Sequence, residues 1–189
     1  MGTPGEASDP AARPRAGDAA VDPAAVIAAA RERGWLLATA ESLTAGAVVA
    51  RLVDVPGSSA AVAGGAACYS YAAKHRVLGV DAAELERTGA VTPSVAAAMA
   101  EGALALYAAD LAVSTTGVAG PGPDERGVEA GTVRLGLARR GGATLTRLVH
   151  LPGDRAAVRA QSVEAAIALL AAELGLQGSV HLPDDSQER

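Results

Sequence analysis

Phenylalanine and asparagine are absent from this chain, and cysteine, tryptophan and lysine occur once each. A lone Cys68 excludes a disulfide framework and any multi-cysteine metal site. Aromatic residues make up 2% of the chain, which removes the usual platforms for stacking bases. With a net charge of −5, a broad cationic surface for a phosphate backbone is not expected either, so nucleic acid is excluded as a partner. Apolar stretches are broken by Gly, Arg or Asp well before the ~20 residues that a bilayer span needs. No apolar run follows the early acids and prolines, so no signal peptide is expected and the location should be cytoplasmic. The 189 residues fit one domain.

What is abundant is equally informative. The chain has 47 Ala and 15 Arg, against a single lysine, Lys74. Positions that merely need a cation have become Arg. A guanidinium does not give up its proton in a protein, whereas an ammonium can be tuned to do so. Lys74 is therefore a candidate proton-transfer group; the competing reading is a chance survivor on a solvated helix face.

Residues 1–21 mix Pro, Gly, Ala and charge without periodicity and are expected to be a disordered tail, as are residues 176–189. Between them, residues 22–175 form the expected domain. Asp22-Pro23 opens a helix, and Trp35–Ala40 is a short apolar run that predicts a strand. A polar turn, Glu41–Thr44, leads into a helix over about 45–53. A second strand is expected over Gly65–Tyr69 and a helix over Tyr71–Leu78. Helices are predicted after Asp81 and Thr92, and a strand over Leu111–Thr115. Thr132–Arg139 and Ala143–Leu151 read as a hairpin, and Asp154 opens a last helix to about Leu174. Strands alternating with helices predict an α/β fold: a three-layer α/β/α sandwich with a mixed, mostly parallel sheet and one hairpin.

Three polar clusters interrupt the apolar background. Glu41-Ser42-Leu43-Thr44 sits at a strand-to-helix turn, where hydroxyls either cap the helix or hold a phosphate. Gly57-Ser58-Ser59, Tyr69 and Lys74 combine a hydroxyl with an amine. A Ser–Lys pair needs only a lysine whose pKa is lowered by burial or a nearby cation, and Tyr69 would relay a proton or donate to an oxyanion. Thr115-Thr116-Gly117 and the following loop join Gly153-Asp154-Arg155-(x3)-Arg159, whose arginines lie one turn apart and would clamp a phosphate.

These motifs, in this order, resemble the CinA C-terminal domain family, the nicotinamide mononucleotide (NMN) amidohydrolases. The resemblance rests on Thr39–Gly46, Gly57-Ser58-Ser59, Tyr69–Lys74 with Leu78-Gly79-Val80, Gly89–Thr92, Thr116–Pro121, Gly131-Thr132-Val133 and Gly153-Asp154-Arg155-(x3)-Arg159. It implies hydrolysis of the carboxamide of NMN to nicotinic acid mononucleotide and ammonia. It further implies Ser59 as nucleophile, Tyr69 and Lys74 as its proton-transfer partners, and Ser42, Thr44, Thr116, Gly117, Arg155 and Arg159 around the substrate. A small-molecule nucleotide as partner, no cofactor, no metal and a homo-oligomer in the stand-alone form are implied as well. The chain departs from the family pattern at Tyr71, where Asn is common, and at Val128-Glu129, where Lys-Pro is common; both changes bear on the pocket's shape. Two other functions fit the residues: an amidase for a related small amide, and a non-catalytic nucleotide-binding module.

Overall fold

The computed structural model describes residues 20–176. The expected tails therefore lie outside the described residues, apart from residues 20, 21 and 176. The elements run α1 (Pro23–Glu32), β1 (Leu37–Glu41), α2 (Ala47–Val53), a 3-10 turn (Ser58–Ala60), β2 (Val62–Ala67), α3 (Tyr71–Leu78), α4 (Ala82–Thr88), α5 (Pro93–Leu106), β3 (Leu111–Gly117), β4 (Thr132–Arg139), β5 (Leu145–His150) and α6 (Arg155–Glu173).

Local chemistry sets most of these boundaries. Asp22, Ser70, Asp81, Thr92 and Asp154 each accept a backbone N–H of the first helical turn with their side chains. Pro follows the cap in α1 and α5, where its missing N–H costs nothing. Helix α3 ends at Gly79, whose φ of +70° is the left-handed conformation that closes a helix.

The five strands form one mixed sheet in the order β2-β1-β3-β4-β5. β1 pairs parallel with β2 and β3, and the β3–β4 and β4–β5 pairings are antiparallel. Only β4 runs against the others, so the sheet is mixed with most strands pointing one way, as the sequence predicts.

Helices cover both faces of the sheet, but not equally closely. On one face Leu37, Leu111 and Val113 pack against α1, α2 and α6 through residues such as Ile27, Leu52 and Ile167. On the other face β1 and β3 present Ala38, Ala40 and Ala112 to α3, α4 and α5. Alanines let α5 come within backbone contact of the sheet. Ser114 Oγ donates to the Ala96 carbonyl at 2.6 Å, and a Cβ on Gly136 would stand 2.3 Å from that same oxygen. The parallel strands β1 and β2, together with β3, thus end side by side on a closely packed floor.

Candidate active site

Ligands in α/β sheets bind beyond the carboxyl ends of the strands. Here the ends of β1, β2 and β3 are Glu41, Ala67 and Gly117, and the residues just after them surround an open pocket of about 290 Å³. Ser42, Lys74, Tyr69, Thr116, Asp124 and Arg155 are among its lining residues.

Lys74 sits on α3 with 1% of its surface exposed. Its Nζ makes three contacts of 2.9 Å, to the Ser42 hydroxyl and to the carbonyl oxygens of Cys68 and Tyr69. Burial lowers its pKa to about 8, opposed by the nearby Cys68 thiol. Burial in turn pushes the Cys68 thiol up, and Lys74 opposes that shift. The three contacts have a stereochemical consequence. A neutral amine has two N–H bonds and one lone pair, and a carbonyl can only accept. The two carbonyls take the two N–H bonds, and the lone pair is left facing Ser42 Oγ.

The Ser42 turn is held by three other residues. Ser42 N–H donates to the Thr115 carbonyl at 2.9 Å. Thr44 Oγ1 is 2.7 Å from Thr115 Oγ1 in the buried interior. Arg159 donates from Nε to the Leu43 carbonyl at 2.8 Å and from Nη2 to the Thr44 carbonyl at 3.2 Å.

Glu41 fixes the next turn and was not singled out by sequence reasoning. It is 1% exposed, and its carboxylate accepts from Thr39 Oγ1 (2.9 Å) and from the N–H groups of Gly46 (2.8 Å), Val48 (3.0 Å) and Val49 (2.9 Å). Helix α2 begins on Gly46 with no side-chain cap of its own, so neither Ser42 nor Thr44 caps it; Glu41 does. A charge at the end of an apolar strand, five residues before the helix cap, is the signal that identifies it. Glu41→Gln replaces one acceptor oxygen by a donor that must face buried N–H groups. The expected cost is about 3 kcal/mol, a fall in Tm of about 10 °C for a chain of this size, read by calorimetry or urea unfolding.

The structure brings some of the sequence-predicted residues together and separates others. Tyr69, Lys74, Ser42, Thr116, Gly117 and Arg155 all line the pocket. Tyr69 is 64% exposed, and its phenol oxygen accepts from Arg155 Nη2 at 3.3 Å; only its backbone carbonyl meets Lys74. Thr116 Oγ1 donates to the Ala90 carbonyl at 2.9 Å, and Arg155 Nη1 donates to the Gly120 carbonyl at 3.0 Å. Tyr71 lines the pocket and Glu129 does not.

Three expectations need correction. Thr44 is fully buried against Thr115, because its side chain points into the core. Arg159 does not join Arg155 as a phosphate clamp, since its guanidinium is committed to the Leu43 and Thr44 carbonyls. Ser59 does not meet Lys74. It is exposed on the 3-10 turn that precedes β2, at the amino end of the parallel strands, whereas Lys74 reaches the carbonyls just past the carboxyl end of β2. The six residues of β2 separate them, about 20 Å of extended chain. Gly57-Ser58-Ser59 has a structural part instead: Gly57, at φ +81°, turns the chain, and Ser58 Oγ donates to the Val53 carbonyl at 3.3 Å.

Comparison with known proteins agrees with this architecture. The family model described as CinA C-terminal domain matches residues 22–174. The chain belongs to the CinA C-terminal domain family. Among curated relatives, a CinA-like protein of Mycolicibacterium vanbaalenii is 52% identical over 137 residues, covering 72% of this chain and 32% of that protein. A CinA-like protein of Mycobacterium tuberculosis is 48% identical over 147 residues, 77% of this chain and 34% of that protein. The chain thus spans about a third of the length of the curated relatives it matches. Among solved structures, a CinA superfamily protein of Klebsiella pneumoniae superimposes with a TM-score of 0.77 at 37% identity, covering 81% of this chain and 96% of that one. One from Escherichia coli gives a TM-score of 0.78 at 31% identity, covering 84% and 92%.

Proposed function

We propose that this CinA-family domain hydrolyses the carboxamide of nicotinamide mononucleotide, with Ser42 as nucleophile and Lys74 as general base. The observation that carries the reading is the 2.9 Å contact between a buried lysine of lowered pKa and a serine hydroxyl at the wall of the pocket. The nucleotide itself rests on membership of the family and on Arg155 at the pocket.

Neutral Lys74 takes the Ser42 proton as Oγ attacks the amide carbonyl carbon. The tetrahedral adduct collapses with cleavage of the carbon–nitrogen bond, and the Lys74 ammonium returns its proton to the departing ammonia. Water, deprotonated by the regenerated amine, then opens the seryl ester to release the carboxylate and free Ser42. The amide and one water become a carboxylic acid and ammonia. Acid–base assistance of this kind contributes about 10²–10⁴-fold.

Arg155, at the first turn of α6, would hold the 5′-phosphate through its guanidinium. Tyr69 would stand beside the phosphate through its contact with Arg155 rather than act as the immediate base.

Ammonia release by purified protein tests the reading. NMN is expected to be turned over, and nicotinamide riboside, which gives Arg155 nothing to hold, at least about tenfold less efficiently for the loss of a charge-assisted contact. A preference for simple amides would move the function to a related amidase. Calorimetric binding of NMN without ammonia would leave a non-catalytic nucleotide-binding module.

A further inference from the structure

Among the residues that line the pocket is a carboxylate that the proposed reaction does not use. Asp124 lines the pocket and is half-buried in the loop after β3. Its backbone is fixed by Asp124 N–H to the Val128 carbonyl (3.0 Å) and Gly127 N–H to the Asp124 carbonyl (3.0 Å). Its Oδ1 accepts from the N–H groups of Arg126 and Val128, each at 2.9 Å. Oδ2 has no hydrogen-bond or ion-pair partner among the described residues. The nearest cation in sequence, Arg126, is turned away: its guanidinium donates to the carbonyls of Glu86 and Arg87 at the end of α4. The carboxylate is therefore held by its own loop through Oδ1, has no cationic partner among the described residues, and belongs to a residue that lines the pocket.

A carboxylate oxygen only accepts, so a ligand atom facing it must be a donor. A second anionic group there would be repelled. Arg155 of α6 offers the opposite chemistry where it donates to the Gly120 carbonyl, four residues before Asp124 on the loop. Four extended residues span at most about 14 Å, a separation that a sugar phosphate bridges from its phosphate to its ring hydroxyls. We propose that Asp124 Oδ2 accepts hydrogen bonds from the vicinal hydroxyls of a ribosyl phosphate whose phosphate sits at Arg155. This deepens the NMN reading and rests on it for the identity of the ring, but not for the sugar. Asp124 is then a specificity-determining residue. It selects a ribose carrying free hydroxyls and rejects one that bears a phosphate on them.

The test uses ribose 5-phosphate and 2-deoxyribose 5-phosphate as probes, titrated by calorimetry into the wild-type protein and Asp124→Asn. The Asn side chain keeps an acceptor for the Arg126 and Val128 N–H groups, so the loop is retained. The wild type is expected to favour ribose 5-phosphate about tenfold, the worth of one hydrogen bond to a charged group. In Asp124→Asn that preference should shrink to about threefold or less, the worth of a neutral bond. With NMN as substrate, the same variant should raise KM about tenfold and leave kcat unchanged. Equal affinity of the wild type for the two sugars would overturn the proposal, as would an undiminished preference in Asp124→Asn. Should NMN prove not to be hydrolysed while the sugar preference still depends on Asp124, the amidase reading fails and the ribosyl site stands.

Discussion

Ser42→Ala is expected to lower kcat for amide hydrolysis by about 10⁴–10⁶-fold, the range seen when a serine nucleophile is removed from a working site. Ser59→Ala should leave kcat within about twofold, as an exposed substitution away from the pocket. The pair is decisive because both serines sit in motifs of the family. Ser42 touches the Lys74 amine at 2.9 Å, while Ser59 is exposed at the other end of β2. Rapid-quench trapping should find an acyl-enzyme in the wild type and in Ser59→Ala, and none in Ser42→Ala. Full activity in Ser42→Ala would remove the proposed nucleophile, and loss of activity only in Ser59→Ala would return that role to the Gly-Ser-Ser turn.

Lys74→Met should reduce kcat by about 10²–10⁴-fold, because a thioether of similar length takes no proton. Arg is the poorer probe. At 1% exposure there is no room for a larger, permanently charged group, so Lys74→Arg would disturb packing as well as chemistry. The pH dependence supplies a sharper readout. The base works only when neutral, so activity should rise with pH and reach half its plateau near pH 8, where Lys74 loses its proton. Stability should follow the same group. Its folded pKa of about 8 lies below the ordinary lysine value of 10.5, so between those pH values the unfolded chain binds more protons than the folded one. Unfolding free energy therefore rises from pH 8 to 10.5 and is lowest, for this group, below 8. The shift corresponds to about 3 kcal/mol, and Lys74→Met should flatten that rise in urea titrations at successive pH values. A flat activity profile from pH 7 to 9.5 would contradict proton transfer by Lys74.

Much of the fold was legible because polar caps and turns are local. Asp22, Asp81, Thr92 and Asp154 announce their helices in the sequence, and Tyr71–Leu78 and Thr132–Arg139 fall where periodicity puts them. β2 was harder. Val62–Ala67 is an edge strand of alanine, glycine and one valine, with almost no hydrophobic alternation, and the expected strand sat three residues late. That slip matters for the site. Once β2 begins at Val62, Ser59 falls before the strand and Ser42 after one, and ligands gather at the carboxyl ends.

Lys74 was legible from composition alone, because a chain with one lysine draws attention to it. Its partner was not, since proximity along the chain favours Ser59 and proximity in space favours Ser42. Arg155 and Arg159 share a helix face, yet only the arginine at the helix tip reaches the pocket; the other meets the carbonyls of the Ser42 turn. Glu41 escaped notice because its work is done on N–H groups, which a sequence does not display.

The alanine-paved side of the sheet has a bearing on how new substrates arise. Backbone meets backbone there: a Cβ on Gly102 of α5 would come within 2.1 Å of the Leu78 carbonyl at the end of α3, and one on Gly117, at the pocket, within 2.5 Å of the Thr132 carbonyl. Neither position admits a bulkier residue, so the packing beside the strand ends is fixed. Variation is left to the exposed rim at Pro121, Gly122 and Pro123 and to Asp124 beside it. Were the proposed amide hydrolysis to be re-addressed toward other amides, the change would come through this stretch of chain, the least committed to the architecture.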